Sequence, residues 1–590
     1  MSDTRDLNIR VGGAAGDGIA TLGESFARLF TRNGYHAYGH TAYQSVIRGG
    51  HVWFHSRGSP DRVGSPGDGI DILYAYNEQT AEIHIPHLRK GGVVIHDPEK
   101  FSISPDRLPP GTRAIPVPTL VMSRKFASDP ILSGSAGMGA CTYLSGLPFE
   151  TLVSILTDNF GTKSKQILEQ NIGTAEAGFK YVQEREKPLE RALSPKHGKE
   201  KLLLTGNEAI AMGAAAGGCN FLAQYPMTPA SSIMHWMAAH AQELGVVVKQ
   251  AEDELAAINM AIGASHTGVR AMTATSGGGF SLMVEALGMA GMSETPLVVV
   301  NSQRTGPSTG LPTKTEQGDL DLMLGAGQGD FPRVILAPGD VVEAYHQTRE
   351  AFRLAEEWQT PILVASDFNL SENFQSADRE DFPMDYEPPN LYARQLPASN
   401  GEYRRYAYTP TGVSPRAFPG QPGYNYVAGS DEHDETGHLI SDVKVGTPPA
   451  ILERKHMMEK RMRKLEGLRQ KLPLPTLEGP ADAALTIVAW GSTAGPVRDA
   501  LKNLEGNDQK VNFLHINCPY PLRNSELAST LLRAKKTLLV EANYSAKLGG
   551  LIRRETGFDF PDKFLKYDGE PFYPEEIVTK ALEVLNGGGH

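Results

Sequence analysis

"KLLLTGNEAIAMGAAAGGCNFLAQYPMTPASS", residues Lys201 to Ser232, sets the fold class of this 590-residue chain. Leu202, Leu203 and Leu204 read as a strand. A glycine turn then opens a small-residue helix, "NFLAQ" is a second strand, and "YPMTP" is a rigid turn. Strand–helix–strand order continues through "GVVVK" (245–249) and the helix spacing of Ala256, Ala257, Met260, Ala261 and Ala264. It continues again through "RAMTATSGGGFSLM" and "TPLVVVNSQ". Alternation of this kind predicts a parallel sheet with helices on its faces.

The pattern recurs on both sides. "LNIRV", "GGAAGDG" and "IATLGESFARLFTRNG" are strand, glycine turn and amphipathic helix at the N-terminus, followed by the strands "IDILYAYN", "GGVVIHD" and "TRAIPVP". "ALTIVAWGS", "QKVNFLHINCPYPL" and "KTLLVEANYS" start a third set. The reading is α/β with several parallel-sheet domains, at 1–190, 201–370 and 481–590. An irregular connection and an amphipathic helix with a solvated basic face fill 371–480. Within it, "EHDETGH" (432–438) matches no zinc or calcium spacing and reads as a polar surface turn.

A formal charge of −11 without a basic block argues against nucleic acid and anionic membranes as partners. No apolar run spans a bilayer and "MSDTRDLNIRVGG" has no signal-peptide h-region, so a cytoplasmic protein is expected. Only three cysteines occur, Cys141, Cys219 and Cys518, far apart. They make neither a disulfide framework nor a four-cysteine cluster site, so any iron–sulfur chemistry must sit on a partner chain.

Three acids, Glu252, Asp253 and Glu254, stand where the strand "GVVVK" hands over to the helix. Asp253 reads as the helix cap, and acids in the first turn suit the dipole. That accounts for one or two of the three. Pro226 and Pro229 hold Thr228 in a fixed turn, where it can cap the next helix or meet a carboxylate or phosphate. Ser276 and three glycines let backbone approach a flat ligand. In "VGGAAGDG", glycines 12, 13, 16 and 18 fit either close packing or an anion cradle; the order is not that of a nicotinamide site. Ser45 and Arg48 precede a second glycine pair, and Arg48 can clamp a phosphate.

Taken in order, "YPMTPAS", "EDELAAINMAIGAS", "RAMTATSGGGFSLM" and "TGPSTGLPTKTEQGDL" resemble the α subunit of the 2-oxoacid:ferredoxin oxidoreductases. The 2-oxoglutarate type, with a γ domain fused before α, is the nearest resemblance. "EYRRYAYTPTGVSPRAFPG", "GSDEHDETGH" and "EKRMRKLEGL" extend it over nearly the whole chain. Gly278 departs from it, standing where proline is expected. The resemblance implies a γ-type domain, a thiamine-enzyme pyrimidine-binding domain and a transketolase-C-like domain.

It also implies thiamine diphosphate, with Glu254 on the aminopyrimidine nitrogen N1′ and Glu252 as the fallback. Tyr225, Pro226, Ser276 and Gly277 line the cofactor. Thr228 and Arg304 take the 2-oxoacid carboxylate, with Thr313 and Lys314 nearby. Gly13, Gly16, Asp17, Gly18, Ser45 and Arg48 are candidates for coenzyme A. No metal ligand is assigned to this chain: the diphosphate, Mg²⁺ and the 4Fe–4S cluster fall to a β subunit, in an assembly of two α and two β chains. The implied reaction is oxidative decarboxylation of a 2-oxoacid to acyl-CoA with reduction of ferredoxin, reversible as CO₂ fixation in a reductive TCA cycle. The alternatives are a sister enzyme for pyruvate or branched or aryl 2-oxoacids, a transketolase-like enzyme without iron–sulfur chemistry, and a CoA-binding scaffold. Purified alone, the chain is expected to be colourless; iron and sulfide found in the isolated chain would overturn the assignment of the cluster to a partner.

Overall fold

The computed structural model describes residues 6–43, 50–127, 132–195, 197–384, 396, 403–440, 447–506 and 509–587. Three sheets organise them. The middle one is wholly parallel, in the order Val334–Leu336, Pro361–Asp367, Leu297–Gln303, Ala271–Thr275, Phe221–Gln224 and Val247–Gln250. Its central strands are apolar and buried on both faces, as a sheet covered by helices requires. The last sheet runs Thr476–Glu478, Val511–Ile516, Leu485–Trp490, Thr537–Glu541 and Asp562–Leu565, parallel except for its first edge strand.

The first sheet departs from the expected parallel pattern. Arg113–Pro116, Leu88–His96, Ile70–Ala75 and Leu7–Ala14 are parallel, but His51–Ser59, His36–Ala42, Phe374–Ala377 and Leu202–Thr205 continue it antiparallel. Two of these strands flank the middle sheet in sequence. Leu202–Thr205, read above as opening the second domain, pairs instead with Phe374–Ala377 at the far edge of the first sheet. A strand's own pattern says which face is apolar, not which edge it will pair with.

Small residues in "SGSAGMGACTYL" serve close packing. A Cβ on Gly139 would lie 1.9 Å from the Ala175 carbonyl oxygen and one on Gly178 2.0 Å from that of Ala136. The helices Ser133–Leu144 and Lys165–Gln183 therefore meet backbone to backbone.

Buried polar contacts join the sheets. Arg57 in the first sheet bonds Asp6 through Nε at 2.8 Å and Asp499 of the last domain through Nη1 at 2.7 Å. Gln317 donates to the Trp490 carbonyl at 2.8 Å and accepts from Thr493 Oγ1 at 2.9 Å, tying the middle domain to the last.

The helix Pro448–Lys471 corrects the expectation of a solvated basic face. Lys460, Arg461 and Lys464 are fully buried, whereas Leu452 is exposed. The reason is Glu294, itself completely buried, which pairs with Lys460 and, at 2.6 Å, with Lys464. Burial alone would push the Glu294 carboxyl up, but Lys464 and Lys460 hold it well below the usual carboxylate range. Burial lowers Lys460 to about 7 against the pull of Glu294. "EHDETGH" is likewise no surface turn. His433 is buried with its ring 3.9 Å from that of Tyr406, and Glu432 takes two bonds from Arg461 Nη2, each at 2.9 Å.

Two buried lysines share one acid, so the two halves of this cluster should respond unequally. Glu294→Gln strands both cations and should cost about 3–5 kcal/mol by denaturant unfolding. Lys460→Met leaves a one-to-one pair and should cost less than half of that; equal losses would show that the charges are not what fastens the helix.

Candidate functional site

The carboxyl ends of the middle strands meet the helices Glu254–His266 and Gly277–Met292. Ligands of open parallel sheets bind at such ends, because the backbone there turns from strand to helix and leaves free polar groups. Of the three acids, Glu252 is exposed. Asp253 caps the helix, accepting from Ala256 N at 2.7 Å. Glu254 is the first helical residue and is 3% exposed.

Its surroundings set its chemistry. A Cβ on Gly279 would fall 2.4 Å from Glu254 Oε1 and 2.1 Å from Thr275 Oγ1, so the second helix lies directly on the carboxyl. Oε1 is buried with no hydrogen-bond partner. Burial raises the pKa of Glu254; the bond from its own backbone N–H opposes this, and Asp253 adds to it. Such a carboxyl keeps a proton to higher pH than an exposed one does.

Other buried oxygens at the same strand ends also lack partners: Gln224 Oε1, Ser276 Oγ and Asn301 Oδ1. Buried polar atoms are rarely left unsatisfied in a finished core, so a cluster of them fits a ligand with its own donors. Of the residues expected to line a cofactor, Ser276 is buried and Gly277 follows it at the helix start. Tyr225 is exposed on the adjoining turn, with Pro226 beside it.

The "YPMTPASS" turn is clamped from several sides. Gln224 Nε2 donates across it to the Ala230 carbonyl at 2.9 Å. Asn207 Nδ2 donates to the Pro229 carbonyl at 2.6 Å, and Arg304 Nη1 to the Thr228 carbonyl at 2.7 Å. Thr228 and Arg304 are thus brought together. Burial lowers the pKa of Arg304, with Asp319 acting against it. Lys314 is adjacent through its carbonyl, which accepts from Thr305 N at 3.1 Å, but its ammonium is engaged by Glu570 of the last domain. Thr313 and Lys314 line a narrow cleft with His40 and Asn373 rather than opening beside Arg304 alone.

In the N-terminal glycine turn, Gly16 and Gly18 adopt φ of 109° and 76°, which side chains disfavour. Asp17 Oδ2 accepts from Ala14 N at 2.8 Å, and Gly13 packs under that carboxylate. One amide of the cradle is therefore already taken by an acid of the turn itself. Ser45 and Arg48 lie outside the described residues. Asn207, Gln224, Asn301, Asp319 and Glu372 were not singled out from the sequence; looking for polar residues at the ends of the apolar strand runs would have found Gln224 and Asn301.

A family profile described as "Pyruvate flavodoxin/ferredoxin oxidoreductase, thiamine diP-bdg" matches residues 212–448. A second, "Pyruvate ferredoxin/flavodoxin oxidoreductase", matches residues 8–181. The chain is 33% identical to a 2-oxoacid:ferredoxin oxidoreductase subunit alpha of Sulfolobus sp, covering 98% of this chain and 97% of that one. It is 34% identical to the 2-oxoglutarate synthase subunit KorA of Methanothermobacter thermautotrophicus, covering 65% of this chain and 99% of the relative. Among solved structures it superposes with a TM-score of 0.91 and 33% identity on the 2-oxoglutarate:ferredoxin oxidoreductase of Magnetococcus marinus, solved with 2-oxoglutarate, coenzyme A and succinyl-CoA bound. That match covers 98% of this chain and 99% of the other.

The packing at Glu254 separates neighbouring glycines. A Cβ on Gly278 meets nothing within 4 Å, so the departure from proline there leaves the contact intact. Gly279→Ala should destabilise by about 1–3 kcal/mol through overpacking and displace the carboxyl, while Gly278→Ala should change the melting temperature little. Parallel thermal melts of the two variants decide this; equal effects would mean that the helix does not press on Glu254.

Proposed function

The chain belongs to the 2-oxoacid:ferredoxin oxidoreductases, and we propose that it is the α chain with a γ domain fused N-terminally, acting on 2-oxoglutarate. The reaction is oxidative decarboxylation to the acyl-CoA with reduction of ferredoxin, and its reverse. Support for the substrate comes from the full-length likeness to a 2-oxoglutarate enzyme. Support for the fusion comes from the order of the two matched segments.

The observation that carries the reading is the unpartnered Oε1 of buried Glu254, inside the segment matched as thiamine diphosphate-binding. Glu254, Gln224, Ser276 and Asn301 offer the polar contacts that the aminopyrimidine would use. When bound, thiamine diphosphate supplies the electron sink for breaking the bond between a 2-oxo carbon and its carboxylate. Glu254 holds a proton at Oε1 and can exchange it with a ring nitrogen placed there. Thr228 and Arg304 orient the substrate carboxylate, Arg304 with the nitrogens not used on the Thr228 carbonyl. The diphosphate, Mg²⁺ and a 4Fe–4S cluster belong in this reading to a β subunit, in an assembly of two α and two β chains working in the cytoplasm. Coenzyme A would meet the N-terminal domain near Gly16, Gly18, Ser45 and Arg48.

The test uses the chain co-expressed with its partner subunit. With 2-oxoglutarate and coenzyme A, the visible cluster absorbance should bleach. Glu254→Gln keeps the shape but not the proton, and should slow bleaching by about a hundredfold or more while the cluster stays bound. A wild-type complex inert to every 2-oxoacid would refute the function, and a Glu254→Gln complex of normal rate would refute the role of Glu254.

A further inference from the structure

Against the Thr228–Pro229 turn lies a polar cluster that the reading above does not use. Asn207 is fully buried in the first turn of the helix Gly206–Ala216. Its Nδ2 reaches Ser232 Oγ at 2.7 Å and Glu372 Oε1 at 3.3 Å, besides the Pro229 carbonyl. Ser232 Oγ donates to the same Oε1 at 3.1 Å. Glu372 ends the short helix Phe368–Glu372. No cation pairs with it among the described residues. The carboxyl is thus one side chain removed from the carbonyl next to Thr228, while Arg304 holds the carbonyl of Thr228 itself.

We propose that Glu372 is a positioning residue for this turn and a charge gate for the anionic substrate. The inference rests on the assignment of the 2-oxoacid carboxylate to Thr228 and Arg304. With its proton, Glu372 completes the Asn207–Ser232 clamp and adds no charge. Without it, a fixed negative charge stands beside a site for anions. Burial pushes the Glu372 carboxyl up to about 7; the bonds from Ser232 and Asn207 pull it down, and Glu208 pushes it up. Among the described residues the other groups facing it are Tyr43, whose own pKa is raised by burial and by Glu372, and the uncharged Asn207 and Ser232. Glu208 is occupied by the Thr205 cap. The acid form therefore predominates below neutrality and the carboxylate above it.

The gate repels the carboxylate at Thr228 and Arg304 most, and a second carboxylate by an amount that falls with its distance. In the complex with the partner subunit, KM for 2-oxoglutarate should rise about tenfold between about pH 6 and pH 8. KM for the monoanion 2-oxobutyrate should also rise, by no more than that factor, because it brings one carboxylate to the gate rather than two. In Glu372→Gln both ratios should fall to about one, because the amide keeps the acceptor oxygen and cannot ionise. Ser232→Ala removes a bond that favours the carboxylate, so the inflection of the 2-oxoglutarate profile should move to higher pH. A purely structural Glu372 would leave the Gln profile superimposed on wild type, and that outcome would overturn the gate while the proposed function stood. An unmoved inflection in Ser232→Ala would overturn it as well. A wild-type complex that turns over no 2-oxoacid would remove both readings together.

Discussion

The contact between Glu254 and the first turn of the helix Gly277–Met292 is the constraint on which the site depends. Two helices, following the strands on either side of Phe221–Gln224, approach so closely that one residue, Gly279, has no room for a Cβ. The approach seals a carboxyl from water without giving Oε1 a partner. An isolated charge is expensive in such a place, so the carboxyl's preference moves toward the neutral form. Small residues on both helices are thus a condition of the chemistry as well as of the packing.

Around that contact the chain builds a rigid surround from distant pieces. The turn that carries Thr228 is held by Gln224 from its own strand, Asn207 from the preceding helix and Arg304 from a later strand end. Gln317 fixes the segment after Arg304 to the last domain, and Lys314 reaches Glu570 there. The first sheet closes the other side, because Phe374–Ala377 leaves the middle domain to pair with it just after Glu372. Displacing any one sheet would disturb groups on the other two.

Charge is buried elsewhere for a different purpose. The Glu294 cluster and the Arg57 pairs lie at joints between elements, where each buried carboxylate meets a cation. At the candidate site the polar atoms are left open instead. Paired charges fasten the joints, whereas the open polar atoms gathered at the strand ends fit a ligand with its own donors.

Much of this was legible in the linear pattern. Strand–helix alternation identified the parallel middle and last sheets, and ordered motifs pointed to the family. The family resemblance of "DELAAI" also pointed to Glu254, with Asp253 as the cap, and the structure buries Glu254 and caps the helix with Asp253. What periodicity could not supply was pairing between remote segments. It missed the antiparallel half of the first sheet, the move of Leu202–Thr205 into it, and the partner that draws Lys460 and Lys464 inward. It missed the Asn207–Ser232–Glu372 cluster for the same reason, since those residues lie up to 165 positions apart. Local sequence determines which face of an element is apolar; only the tertiary fold decides which polar group meets another, because a buried charge is tolerated where a distant partner answers it.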